Sequence, residues 1–140
     1  MWGLRVPNKF KHFIWRACNN ALPTMSNLFR RKITPSNQCE LCKLYPKDPL
    51  HAIWTCREVE SVWSSSHCFN QANLPQPQSF SDLLSLFLQV KVDYRKEVFS
   101  IAASLLWNRQ NAIYFGRPVR ATDQILTMAG NLLQDFLAAQ

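Results

Sequence analysis

Apolar positions recur along this chain with helical rather than strand-like spacing. Phe10, Phe13, Ile14, Ala17 and Ala21 fall at i, i+3, i+4, i+7 and i+11 and line one face of a first helix. Pro7 suits its first turn, where a missing N–H leaves nothing unpaired. Leu22-Pro23-Thr24 breaks the pattern. Thr24 is placed to cap a second short helix that carries Met25, Leu28 and Phe29 inward. Arg30, Arg31 and Lys32 close that helix, with positive charge at the negative end of its dipole. Thr34-Pro35-Ser36-Asn37 then reads as a turn. Further on, 80–88 is a short apolar helix. Asp93 is a candidate N-cap for a long one, whose face runs through Val98, Ile101, Ala102, Leu105, Ala112 and Ile113. Gly116 supplies a C-terminal stop and Pro118 follows it. Thr122 caps a final helix with Ile125, Met128, Leu132, Leu133, Phe136 and Leu137 as its stripe. No segment alternates with period two, so the expected class is mainly α.

The stretch 69–79, FNQANLPQPQS, holds two Pro and five Asn or Gln and reads as a linker. It separates a lobe over 1–68 from a helical lobe over 80–140. At 140 residues, 47% apolar and 18% charged, the composition is globular. Gly is scarce at 3, which disfavours a Gly-rich phosphate loop. No run of residues is long and apolar enough for a membrane span, so no membrane partner is expected. Charges interrupt the N-terminus where a signal peptide needs an apolar core. Without a secretory signal, the odd count of 5 Cys argues against a disulfide framework.

The net charge of +7 is lopsided. Residues 1–57 hold ten basic against two acidic side chains, and 58–140 hold six against seven. The N-terminal half therefore suits a polyanion, nucleic acid first and an acidic membrane surface second. A solvated basic face that keeps the protein soluble is the plainer reading of the same residues.

The most specific constellation is Cys39-x2-Cys42-x8-His51-x4-Cys56. A C-x2-C turn points two thiolates at one centre, and a returning segment can add His51 and Cys56 to complete a tetrahedral zinc site. On a regular helix His51 and Cys56 lie about 140° apart, so the segment is irregular at His51 or His51 precedes the helix proper. Four protein ligands leave no open position, which is a structural site and not a catalytic one. Three thiolates, a neutral imidazole and Zn²⁺ sum to about −1, and the basic field survives. The rivals are a redox C-x-x-C, which needs a preceding strand where this chain has ITPSNQ, and unrelated buried thiols. Cys18 and Cys68 read as small hydrophobes.

Val6-Pro7-x-Lys9-x-Lys11-x-Phe13-Ile14-Trp15-Arg16-Ala17, then Leu22-Pro23-Thr24, Asn27-Leu28, Arg31, the four zinc candidates with Asp48, and Trp63, together resemble the zinc-binding domain of plant LINE-type (non-LTR) retrotransposon reverse transcriptases. Leu106-Trp107-x3-Asn111-x3-Phe115-Gly116 is similar to a W-x-x-R-N-x-x-x-F stretch of the same proteins, with Gln110 at the Arg position. The likeness covers roughly 4–116. It implies Cys39, Cys42, His51 and Cys56 as ligands of one structural Zn²⁺. It also implies nucleic-acid binding in support of reverse transcription, and a nuclear setting. The chain resembles an excised piece of a larger polyprotein, without the polymerase before it or the ribonuclease H after it.

An enzyme is not expected. Asp82, Asp93, Asp123 and Asp135 are dispersed and do not form the carboxylate cluster that two-metal chemistry needs. Cys18 with His12 is a weak nucleophile–base pattern, and no small-molecule substrate is implied. A presequence reading of the acid-free residues 1–39 conflicts with Pro7 and Pro23.

RNA or DNA is the expected partner. On the first helix Trp15 projects about 140° from Phe10, among Lys11, His12 and the amides, with Arg16 nearby. It can stack on an unpaired base while Lys9, Lys11 and Arg16 meet phosphates, or it can pack beneath the zinc lobe as most Trp do. Arg30, Arg31 and Lys32 can bind phosphate, act as a weak nuclear signal, or simply be solvated. Trp54 and Trp63 read as core. Arg109, on the apolar face of the long helix, either pairs with a carboxylate or snorkels. Two functions follow. One is a non-catalytic, zinc-stabilised module that binds nucleic acid non-specifically through its basic half. The other is a structural spacer between polymerase and ribonuclease H, orphaned here as a transposon relic, that packs on protein. An exposed patch at Leu83, Leu86, Trp107 and Phe115 would mark the spacer. The expected fold is a small zinc-knuckle-like N-terminal lobe packed with a helical C-terminal lobe.

Overall fold

A computed structural model describes residues 3–90, 93–119 and 121–140. Its elements in chain order are α1 (Asn8–Cys18), α2 (Met25–Arg30), a π-type turn (His51–Thr55), α3 (Arg57–Ser64), α4 (Phe80–Leu88), α5 (Arg95–Tyr114) and α6 (Ile125–Ala138). Short 3₁₀ turns join them at His67–Phe69, Gln71–Asn73 and Thr122–Gln124. Among the described residues no strand forms, and the one bridge is Gln38 with Pro46. The mainly α reading holds.

The long helix α5 is the axis of the fold. It packs against α6, α1, α4 and the π-type turn. Contact on so many sides explains why one apolar stripe did not describe it. Glu97, Ser100, Ser104 and Gln110 are buried along with Phe99, Ile101, Ala102, Leu106 and Trp107. A helix enclosed on several faces loses the single-sided pattern that surface helices show. Glu97 is held by the backbone N–H of Arg5, 3.2 Å away, which pins the N-terminal segment to α5.

An aromatic cluster joins the N-terminal and C-terminal parts of the chain. Trp54 and Trp63 come from the zinc half, and Phe87 and Phe99 come from α4 and α5. Phe99 stacks on Phe87 with centroids 4.5 Å apart, and Trp63 meets Phe99 at 5.4 Å. Phe69, at the head of the expected linker, is buried in the same cluster, 5.5 Å from Trp63. Gln71 Nε2 donates to Trp54 O at 2.6 Å, tying the polar stretch down further.

Side-chain caps form at α2, as expected for Thr24, and at α4, where Ser79 was not anticipated. Thr24 Oγ1 accepts from Asn27 N, and Ser79 Oγ accepts from Asp82 N. Elsewhere the details shift. α1 ends at Cys18 and the chain turns through Asn20 at φ 53°, so Ala21 leaves the helical face and is exposed. In α2 the buried residue is Asn27, and Phe29 is exposed. Asn27 Nδ2 donates to Leu22 O at 2.7 Å, fixing the turn between α1 and α2, which the apolar pattern could not show. Tyr94 occupies the N-cap position of α5, and Asp93 Oδ1 accepts from Arg95 N from one residue earlier. Thr122 opens a 3₁₀ turn before α6 instead of capping it. Leu83 and Trp107 are buried and Leu86 is half-buried, so of the four spacer-patch residues Phe115 alone is exposed.

Candidate metal centre and basic groove

The chain enters the metal centre through a tight reversal. Cys39 N donates to Tyr45 O at 2.8 Å, and Lys43 N donates back to Cys39 O at 2.9 Å. Lys43 takes φ 59°, the left-handed conformation that lets the chain fold back just after Cys42. The returning segment is opened by Asp48, whose Oδ1 accepts from His51 N at 2.8 Å, with Pro49 just after it.

The irregularity expected at His51 is a π-type turn. Cys56 N donates to His51 O at 3.0 Å, an i→i+5 closure in place of i→i+4. The wider turn brings residue i+5 back over residue i. This reconciles the x4 spacing with a shared metal. Cys56 then serves as N-cap residue of α3, its sulfur beside the Glu58 backbone N–H.

Cys39, Cys42, His51 and Cys56 are all buried, and their ligand atoms lie within 4.8 Å of one another. Cys39 Sγ and Cys56 Sγ are 4.0 Å apart, and Cys42 Sγ is 3.3 Å from His51 Nε2. Zinc–thiolate bonds of about 2.3 Å at tetrahedral corners put neighbouring sulfurs about 3.8 Å apart. The donor set and its spacing therefore fit one structural zinc. His51 Nδ1 lies 3.2 Å from Thr55 Oγ1, leaving Nε2 to face the ion. Tyr45 covers the imidazole at 5.9 Å between ring centroids.

The thiols differ in readiness. Burial pushes Cys56 up to about 12, and the neighbouring sulfurs of Cys39 and Cys42 add to it against the Glu58 N–H. Burial also acts to raise Cys42. The N–H groups of Leu44 and Tyr45 and the His51 ring outweigh it, and the thiol lies below its ordinary value. Zinc uptake near neutral pH must therefore displace the Cys56 proton.

Thr55 was not legible as a site residue, because a hydroxyl one turn from a ligand has no spacing signature. Thr55→Val, at an exposed position, is expected to weaken zinc binding about tenfold without unfolding the protein. Competition titration with a chromophoric chelator measures this, and an unchanged affinity would refute the supporting role.

Residues 1–63 match the family described as zinc-binding in reverse transcriptase. A putative ribonuclease H protein of Arabidopsis thaliana is 33% identical over 63 residues, which is 45% of this chain and 10% of that protein. Residues 1–63 are thus similar to the zinc-binding segment of reverse transcriptases. All four candidate ligands lie inside it, and the likeness at Trp107, Asn111 and Phe115 lies beyond it. The chain spans about a tenth of the length of that relative. No solved structure matches. No helix among the described residues is long and apolar enough to cross a membrane.

Of the basic residues, the fold gathers some and separates others. Lys9, His12 and Arg16 form one stripe of α1 and line a groove of about 390 Å³ against Asn108 and Asn111 of α5. Lys11 and Trp15 lie on an adjoining stripe of α1, and Trp15 is 47% exposed and not packed beneath the zinc-binding segment. Arg30, Arg31 and Lys32 are exposed at the end of α2, where Arg30 is held by Asn27 Oδ1. Asn108 and Asn111 were missed as groove residues, since only the packing of α5 on α1 places them there. Gln110 is buried and donates through Nε2 to Ala52 O at 2.6 Å, fastening α5 to the turn that carries His51.

Proposed function

We propose that this chain is a non-catalytic, zinc-stabilised module that binds single-stranded RNA or DNA non-specifically through its basic N-terminal half. The observation that carries this reading is the α1 groove. Lys9, His12 and Arg16 line it, and the amides of Asn108 and Asn111 complete it from α5. Cationic side chains neutralise phosphates, and amides add uncharged donors to the same backbone. The excess of basic residues over 1–57 supplies a long-range field of the same sign. Trp15, exposed beside Lys11, adds a stacking surface. Zinc would tie the reversal to the π-type turn, which packs on α5, so its role would be to steady the helix that forms one wall of the groove. The closed donor set supports a structural metal with no open position for substrate.

Binding should weaken steeply with salt, because each neutralised phosphate of a single strand contributes a slope of about −0.7. Replacing Lys9 and Arg16 together by Ala should weaken binding to every sequence alike and reduce the slope of log K against log salt by about 1. Fluorescence anisotropy of a labelled oligonucleotide across salt reads both quantities. A flat salt response, or no binding at low salt, overturns the proposal.

A further inference from the structure

The groove on α1 has a neighbour of different character. A second cavity of about 240 Å³ lies on the far side of Pro23, Trp107 and Asn111, which line both. Its other walls include Leu28 of α2 and Tyr114 and Phe115 at the end of α5. Tyr114 and Phe115 are 52% and 64% exposed, although α5 is among the most buried helices of the fold. Their rings meet edge to face at 5.2 Å and 85°, so they present an angled aromatic corner. Arg117 stands over the Phe115 ring with its guanidinium carbon 5.3 Å from the centroid, placing a cation against one of the lining rings. On the floor, the Lys47 ammonium sits 5.9 Å from the Trp107 centroid and is paired with Glu40.

We propose that this cavity takes one unpaired base of a single strand whose phosphates run along the Lys9–His12–Arg16 groove. The inference rests on the nucleic-acid reading above and assigns it a base site. The size is right for a fragment, since cavities for whole drug-sized ligands run to about 300–1,000 Å³. The aromatic walls give a π-face that any base can use, while the adjoining groove supplies the charge complementarity that selects a polyanion. The shared wall at Asn111 places an amide at the junction, where it can meet either a phosphate oxygen or a base edge. A duplex keeps its bases stacked inside and cannot fill the cavity. The site therefore selects single strands without selecting sequence.

The test pairs a protein change with a ligand change. Tyr114→Ala/Phe115→Ala removes exposed side chains and leaves the core intact. The probes are a short labelled single strand, the same strand with abasic sites, and the corresponding duplex, all at low salt with the zinc-loaded 140-residue chain. Wild type should bind the base-bearing strand about tenfold more tightly than the abasic strand or the duplex. The double variant should lose most of that preference, all but the share that Trp15 stacking supplies, and keep its salt slope, whereas Lys9→Ala/Arg16→Ala should keep the preference and lose slope. Equal binding of base-bearing and abasic strands by wild type, or an unchanged preference in the aromatic variant, overturns the base site and leaves the phosphate groove standing. Absence of binding to all three probes overturns both, and points to a protein as the occupant of the aromatic corner.

Discussion

Removing zinc is expected to melt the N-terminal half of the protein. Elemental analysis should find about one zinc per chain, and chelation should release it with a cooperative loss of helicity. Segment 34–50 has no regular secondary structure beyond a single bridge and is held by scattered hydrogen bonds and the Lys47–Glu40 pair, so the metal is expected to fix much of its course. Without the ion, three thiols and an imidazole remain buried with few partners, which itself opposes folding. Structural zinc supplies on the order of ~10 kcal/mol in small domains, comparable with the whole ~5–15 kcal/mol net stability of a typical fold. Cys42→Ser should have nearly the same effect as chelation, since three ligands do not close the site. Uptake of zinc at neutral pH should acidify the medium, because the Cys56 thiol, pushed up to about 12, must surrender its proton to the metal. Affinity should accordingly rise with pH. Circular dichroism of reduced, chelated protein decides the matter, and full retention of helicity there would show that zinc does not hold the fold.

The metal centre was legible because its chemistry is local. The spacing from Cys39 to Cys56 carries the donor set on its own, and the mismatch between x4 and a regular helix allows either an irregular segment at His51 or His51 ahead of the helix, of which the structure has an irregular turn that precedes α3. The helices were legible wherever one face meets the core, as in α1, where Phe10, Phe13, Ile14 and Ala17 are the buried residues. Legibility failed where contacts come from more than one side. Glu97 and Gln110 of α5 are buried polar residues whose partners, Arg5 N and Ala52 O, are far away in sequence. Lys47 is buried against Trp107 and Glu40, although an isolated Lys in a turn reads as solvated. The two cavities could not be read either. Each is lined by residues from several elements, and the charge count over 1–57 gave no sign that Lys9, His12 and Arg16 would meet Asn108 and Asn111.

Trp63→Ala should be the most damaging single substitution outside the metal ligands. Trp63 is fully buried on α3 and touches Trp54, Phe69 and Phe99 with centroids 5.2, 5.5 and 5.4 Å away. With Trp54, which meets Phe87 and Phe99, it is a main side chain through which the zinc half grips the helical half. Its indole Nε1 also donates to Ile53 O at 2.7 Å, satisfying a carbonyl inside the π-type turn between His51 and Cys56. Truncation removes the aromatic contacts, leaves a cavity and frees that carbonyl, for an expected loss of about 3–5 kcal/mol. Trp63→Phe keeps most of the volume and loses the hydrogen bond, so about 1–3 kcal/mol is expected. The carbonyl sits within the metal-bearing turn, so both variants should also loosen zinc, the Ala variant more. Urea unfolding of zinc-loaded protein, followed alongside chelator competition, separates the two effects. A Trp63→Ala loss under about 1 kcal/mol with unchanged zinc affinity would mean that the N-terminal and C-terminal parts are held together elsewhere, through α1 and α5.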